Sequence, residues 1–261
     1  MNTKIITHPI IIRPDEITQS TRYIVDKDLG DRYAITIEGN WRHPKSDDRF
    51  DGVWPLIELQ CNYKSAGILV YRCDNADFSN LRIVESNGCA AELMGVRQCN
   101  FVSLRTHRCQ SIDSIVKFTG MPESFSSNMI NIGQLSCMGC DAPATVEMIS
   151  STKNEVRVIT IGQLDCHIAW PTMMKQFPKT AKFGPRARTH LKLNNATGVT
   201  VSSCNLRLNS DDPDDAMAIT AGESSKNCVV YGGQILKRRD DDDIRKLISG
   251  PVTVFPFRGK V

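Results

Sequence analysis

Ile159-Thr160-Ile161-Gly162-Gln163-Leu164-Asp165-Cys166 nearly repeats Ile130-Asn131-Ile132-Gly133-Gln134-Leu135-Ser136-Cys137, twenty-nine residues upstream. Recurrence at such a period marks a stacked repeat architecture. Working outward, the same apolar-x-apolar strand returns at Ile35/Ile37, Leu81/Ile83, Leu104/Thr106, Val199/Val201 and Val229/Tyr231. A second strand follows each: Ile57/Leu59, Leu93, Ile115, Val146/Met148, Leu191/Leu193, Met217/Ile219 and Val252/Val254. Alternation over three to six residues is the period-two signature of a strand with one buried face. Asn80, Asn100, Asn128, Asn154, Asn194, Asn195 and Asn227 punctuate the ends, and Asn tolerates the left-handed backbone of tight corners.

A pair of such strands cannot bury its own apolar face, but stacked pairs share a continuous core. The sequence therefore predicts an all-β chain folded as a single-stranded right-handed parallel β-helix, a solenoid of about seven coils. A β-sandwich has strands at similar spacing, but its repeats do not align residue by residue. Residues 31–261 read as the β-helix. Residues 1–30 read as an N-terminal arm or cap: Pro9 and Pro14 oppose a helix, and Tyr23-Ile24-Val25 suits an edge strand.

Hydrophobic residues make up 41% of the chain, enough for a real core, and the formal net charge of +3 gives no global reason to expect nucleic acid. The run Met1–Ile12 is broken by His8 and Pro9 and lacks a small-residue cleavage site, so no signal peptide is read there. Nothing later approaches the length of a membrane span. Ten cysteines are many for a chain made in the cytoplasm. One reading is small apolar side chains stacked inside the coil. The other is disulfides, some between chains, with Cys61, Cys73, Cys89, Cys109, Cys137 and Cys140 as candidates whose pairing spacing alone does not settle. Cys137-x-x-Cys140 lacks a second pair, so no metal and no cofactor is expected.

Four long insertions interrupt the repeat: Gly39–Pro55, His167–Thr189, Asn209–Asp215 and Lys237–Gly250. Each is read between the first and second strand of a unit, which predicts one decorated side. Loops on a rigid scaffold are where binding is usually built. The candidate binding residues are Trp41, Trp54 and Trp170 with the basic series Lys175, Lys179, Lys182, Arg186 and Arg188. Asp211, Asp212, Asp214 and Asp215 form the acidic counterpart, suited to acid catalysis or to calcium through hard oxygen ligands. The five histidines show no catalytic spacing, and no Gly-x-Ser-x-Gly elbow is present.

The repeat over about residues 31–261 resembles the pectate-lyase-like β-helix superfamily, which includes polysaccharide lyases, polygalacturonases and phage tailspikes. Asp214-Asp215-Ala216-Met217-Ala218-Ile219 is similar to the paired-Asp segment of polygalacturonases, where two acids precede an apolar strand. The rest of that pattern is missing: no Gly-His-Gly, Arg-Ile-Lys or Asn-Thr-Asp stands at the matching places. The resemblance to tailspikes, without their head and tail, implies a non-catalytic bacteriophage virion protein: a capsid decoration or a tail- or collar-attached block. It further implies a homotrimer located in the virion, with other virion proteins as partners and no nucleic acid or membrane. The alternative is a polysaccharide-degrading or glycan-binding tailspike-like protein that uses the Trp/Asp loops on a host glycan.

Overall fold

Alternating short strands with one apolar face, separated by single turn residues, have one cheap way to satisfy their backbones: pairing with the next copy of themselves. The structure, a computed structural model, has that form. It describes residues 1–13, 16–39, 53–121, 126–151, 154–168, 188–208, 216–236 and 244–255. Among them the only helical element of named length is the 3-10 turn Ile244–Leu247, and no helix is long and apolar enough to cross a membrane. The rest is two sheets, one of thirteen strands and one of nine, and every pairing is parallel.

The chain alternates between the sheets. Asp77–Val84, Asn100–His107, Ser127–Cys140 and Val156–Ile168 are successive neighbours in the larger sheet. Ala91–Met94, Ser114–Thr119 and Ala144–Ile149 lie between them in sequence and pair in the smaller one. This all-β, parallel arrangement is compatible with a parallel β-helix. The repeat that opened the reading is a ladder in register: Ile130 faces Ile159, Ile132 faces Ile161, Leu135 faces Leu164 and Cys137 faces Cys166. Their side chains enter a single apolar cluster that extends from Ile6 to Leu247.

Corners align as the strands do. Glu85, Arg108 and Gly139 occupy equivalent places at the ends of three successive strands, and all have φ between 53° and 61°. Left-handed backbone is uncommon outside glycine, so its return at matched positions marks a corner imposed by the stack. Strand contact is also close. A Cβ added at Gly67 would lie 1.8 Å from the carbonyl oxygen of Ala90 on the next strand.

The predicted phase of the repeat needs correction at both ends. Ile35/Ile37 pairs with Ile68/Val70 in the smaller sheet, whereas Ile57/Leu59 and Val252/Val254 belong to the larger one. The strand Ala66–Tyr71, between Ile57–Gln60 and Asp77–Val84, has no counterpart in the sequence reading. Residues 2–25 extend the sheets as well: Asn2–Ile6 pairs with Thr21–Val25, and Ile10–Ile12 with Tyr33–Glu38.

That shift in phase changes where the insertions fall. Residues 169–187, 209–215 and 237–243 follow strands of the larger sheet and precede strands of the smaller one. Residues 40–52 instead follow Tyr33–Glu38 of the smaller sheet and lead to Val53–Trp54 of the larger. The insertions therefore divide between two kinds of junction, three from the larger sheet to the smaller and one from the smaller to the larger.

Candidate functional site

Trp54 is not a surface platform. It is 1% exposed, and its ring stacks on Phe78 at 5.2 Å, which stacks on Phe101 at 4.5 Å. The cause is register: Trp54 pairs opposite Phe78 and Phe78 opposite Phe101, so three inward aromatics form one column. Arg188 is also engaged. Its guanidinium lies 3.1 Å from Asp141, and both side chains are largely buried, so it anchors a corner. Trp41, Trp170, Lys175, Lys179, Lys182, Arg186, Asp211, Asp212, Asp214 and Asp215 lie outside the described residues.

All ten cysteines are free thiols. Cys61, Cys73, Cys109, Cys137 and Cys140 are buried in the core, out of reach of a surface contact between chains. Cys89 is half-buried and donates to the Ala91 carbonyl at 3.3 Å. Stacking as small apolar side chains thus describes nine of the ten. No group of three or more His, Cys, Asp or Glu among the described residues could hold a metal ion.

The densest chemistry lies on the outward face of the smaller sheet. Register places Leu69, Glu92, Lys117, Glu147, Lys192 and Thr220 in one row, one per strand. Each charged member is the outward residue of an apolar-charged-apolar triplet, such as Ala91-Glu92-Leu93 or Val146-Glu147-Met148. Alternating charges stand one strand spacing apart, so opposite signs meet across every gap from Glu92 to Lys192.

Every oxygen of the two carboxylates is hydrogen-bonded. Glu92, 8% exposed, accepts from the Tyr33 hydroxyl at 2.5 Å and the Thr119 hydroxyl at 2.9 Å. Glu147, 3% exposed, accepts from the Asn194 amide at 2.6 Å, the Lys192 ammonium at 2.9 Å and the Ser114 hydroxyl. Lys117 is held by Asp113. Burial acts to lower the Lys117 pKa, but the hydrogen bond and charge of Asp113 outweigh it and raise it. Burial raises the Tyr33 pKa well above the usual phenol range, with Cys89 and Glu92 adding to it. The Cys89 thiol is pushed up to about 12, by burial first and then by Glu92.

Glycoside hydrolysis needs one carboxyl to give a proton and another to take one or to attack. Glu92 and Glu147 stand two strands apart, about 9–10 Å at the backbone, with Lys117 between. Every oxygen of both carboxylates already accepts from a neighbour. Glu92 is thereby joined to Thr119 on the next strand, and Glu147 to Ser114 and Lys192 on the strands either side.

The larger sheet repeats the device. Glu58 sits between Arg22 at 2.9 Å and Arg82 at 3.2 Å, and Gln134 and Gln163 both donate to Asp165. Sequence reasoning passed over Glu92, Glu147 and Glu58 because it sought charges in loops. The signal was present as alternating charge at the middle position of the strand triplets.

No family model, no curated protein and no solved structure matches the chain.

Proposed function

We infer that this chain is a non-catalytic bacteriophage virion structural protein, a stiff block that decorates a capsid or attaches to a tail or collar. In this reading the two sheets are sides of one right-handed parallel β-helix, with a coil for each of the nine strands of the smaller sheet where the repeat alone suggests about seven. It assembles as a homotrimer with other virion proteins as partners. The observation that carries the reading is the hydrogen-bonded Glu92–Lys117–Glu147–Lys192 row, whose carboxylates bind neighbouring strands. Glu92 and Glu147 tie neighbouring strands together through Thr119, Ser114, Asn194 and Lys192, which resists shear between coils. The test is incubation with bacterial capsular polysaccharides and lipopolysaccharide. The expected result is no new reducing ends and no unsaturated uronate, together with recovery of the chain in purified particles. Release of either product would overturn it.

A second reading, a glycan-binding tailspike-like protein, draws on one pair. Tyr231 and Phe255 are 49% and 46% exposed and stack at 5.0 Å, and exposed rings are favourable platforms for sugar faces. Retention on a host glycan, lost in Tyr231→Ala, would favour it.

A further inference from the structure

Cys109 and Cys140 sit at matched corners of neighbouring strands. His107 pairs with Met138 and Gln110 with Asp141, which places Cys109 directly opposite Cys140. The Asp141 amide donates to the Cys109 carbonyl at 2.9 Å and fixes that register. Neighbouring strands stand about 4.8 Å apart, inside the Cα separation of about 4.4–6.8 Å that a disulfide spans. Both thiols point inward, and Cys140 contacts the Thr106 hydroxyl at 3.5 Å.

We propose that Cys109 and Cys140 are a redox pair that closes reversibly into a disulfide between adjacent strands when the protein meets a small hydroperoxide. The preceding residues, Arg108 and Gly139, are both left-handed, so the pair lies where the ladder turns. On the far side of Cys140 the register to the next strand shifts, between Met138 and Cys140. Closing the bond asks this corner to bring the two β-carbons together by roughly 1 Å, from strand spacing to disulfide distance. Cys137 and Cys166 also face each other, but within the ladder, between the pairs Ser136/Asp165 and Met138/His167, and no left-handed residue directly precedes either.

The chemistry needs one nucleophile and one resolving thiol. Burial disfavours the Cys109 thiolate, but hydrogen bonds from Cys140 and Ser86 outweigh burial and lower its pKa, while burial and the Cys109 partner raise that of Cys140. The Cys109 thiolate attacks the peroxide: an S–O bond forms, the O–O bond breaks, and the departing hydroxide takes up a proton as water. Cys140 then attacks the sulfenic sulfur. The S–S bond forms, the S–O bond breaks, and the hydroxide leaves with the Cys140 proton as a second water. Two thiols are oxidised and one hydrogen peroxide is reduced to two waters. A water-sized oxidant suits thiols that are buried, because it needs little opening to reach them.

The experiment is prolonged treatment of the folded full chain with hydrogen peroxide, then denaturation in excess maleimide and peptide mapping. The expected result is two of the ten cysteines protected, a Cys109–Cys140 linked peptide, and a mass lower by about 2 Da before alkylation. Reductant should restore all ten reactive thiols. Cys109→Ser and Cys140→Ser should each abolish the linked peptide, and Cys137→Ser should keep it. Ten reactive cysteines after treatment, a link between Cys137 and Cys166, or overoxidised Cys109 without a link would each overturn the proposal. Cys140→Ser and Cys137→Ser keep the test decisive if Cys109→Ser does not fold.

Discussion

Lys192 reaches across one strand spacing to Glu147, with its ammonium 2.9 Å from a carboxylate oxygen that is almost fully buried. The lysine is half open to solvent; the glutamate is not. The two partners of one bond therefore have unequal weight. Removing the lysine leaves Glu147 with Asn194 and Ser114, whereas removing the glutamate strands three donors.

Glu147→Ala is accordingly expected to cost about 2–4 kcal/mol, because buried donors lose their acceptor and a cavity opens. Lys192→Ala is expected to cost about 1 kcal/mol or less, as for a partly exposed ion pair. Urea unfolding of both variants checks the asymmetry. Equal costs would show that Glu147 is not the buried anchor of this pair.

Acid should weaken the fold through His190. This residue is fully buried, its Nε2 donates to the Arg207 carbonyl at 2.9 Å, and its Nδ1 accepts from the Thr145 hydroxyl at 3.1 Å. Burial first, with the nearby charges of His167 and Arg188, lowers its pKa from 6.5 to about 4. Between those values the unfolded chain binds the proton and the folded chain does not. Stability from this group is thus complete above pH 6.5, falls as pH drops, and levels off below about 4. The loss is on the order of 3 kcal/mol. Urea midpoints from pH 7 to 4 should fall more steeply in the wild type than in His190→Gln.

Gly67→Ala should destabilise or prevent folding, since the new methyl would meet the Ala90 backbone at 1.8 Å and neither strand is free to move. Overpacking of a tight site costs about 1–3 kcal/mol or more. A melting temperature equal to the wild type would show that the strands part at little cost.

Trp54→Ala should cost about 3–5 kcal/mol as a core cavity, and Trp54→Phe about 1.5 kcal/mol or less, since another ring keeps the stack on Phe78. A Trp54→Phe variant that loses glycan retention while staying folded would contradict the core placement.

The ladder was legible in the sequence because period-two alternation and a twenty-nine-residue echo are direct consequences of stacking. Ile130/Ile159 and Cys137/Cys166 are in register as read. Phase was less legible. Ala66–Tyr71 is apolar throughout, without clean alternation, and skipping it moved Ile35 and Ile57 to the wrong ladders. Trp54 was misread for a related reason: it follows a polar insertion, and only register with Phe78 shows that it points inward. The charged row was hidden because a lone Glu or Lys in a strand looks like ordinary solvent-facing decoration. Its meaning lies between strands that are 25 to 45 residues apart in the chain.

Sedimentation equilibrium of the purified chain tests the central claim most directly. A rigid virion block should sediment as one species of three chains, each of 29.1 kDa, and hold that state on dilution. A single chain of 29.1 kDa at all concentrations would contradict the assembly and the structural role built on it.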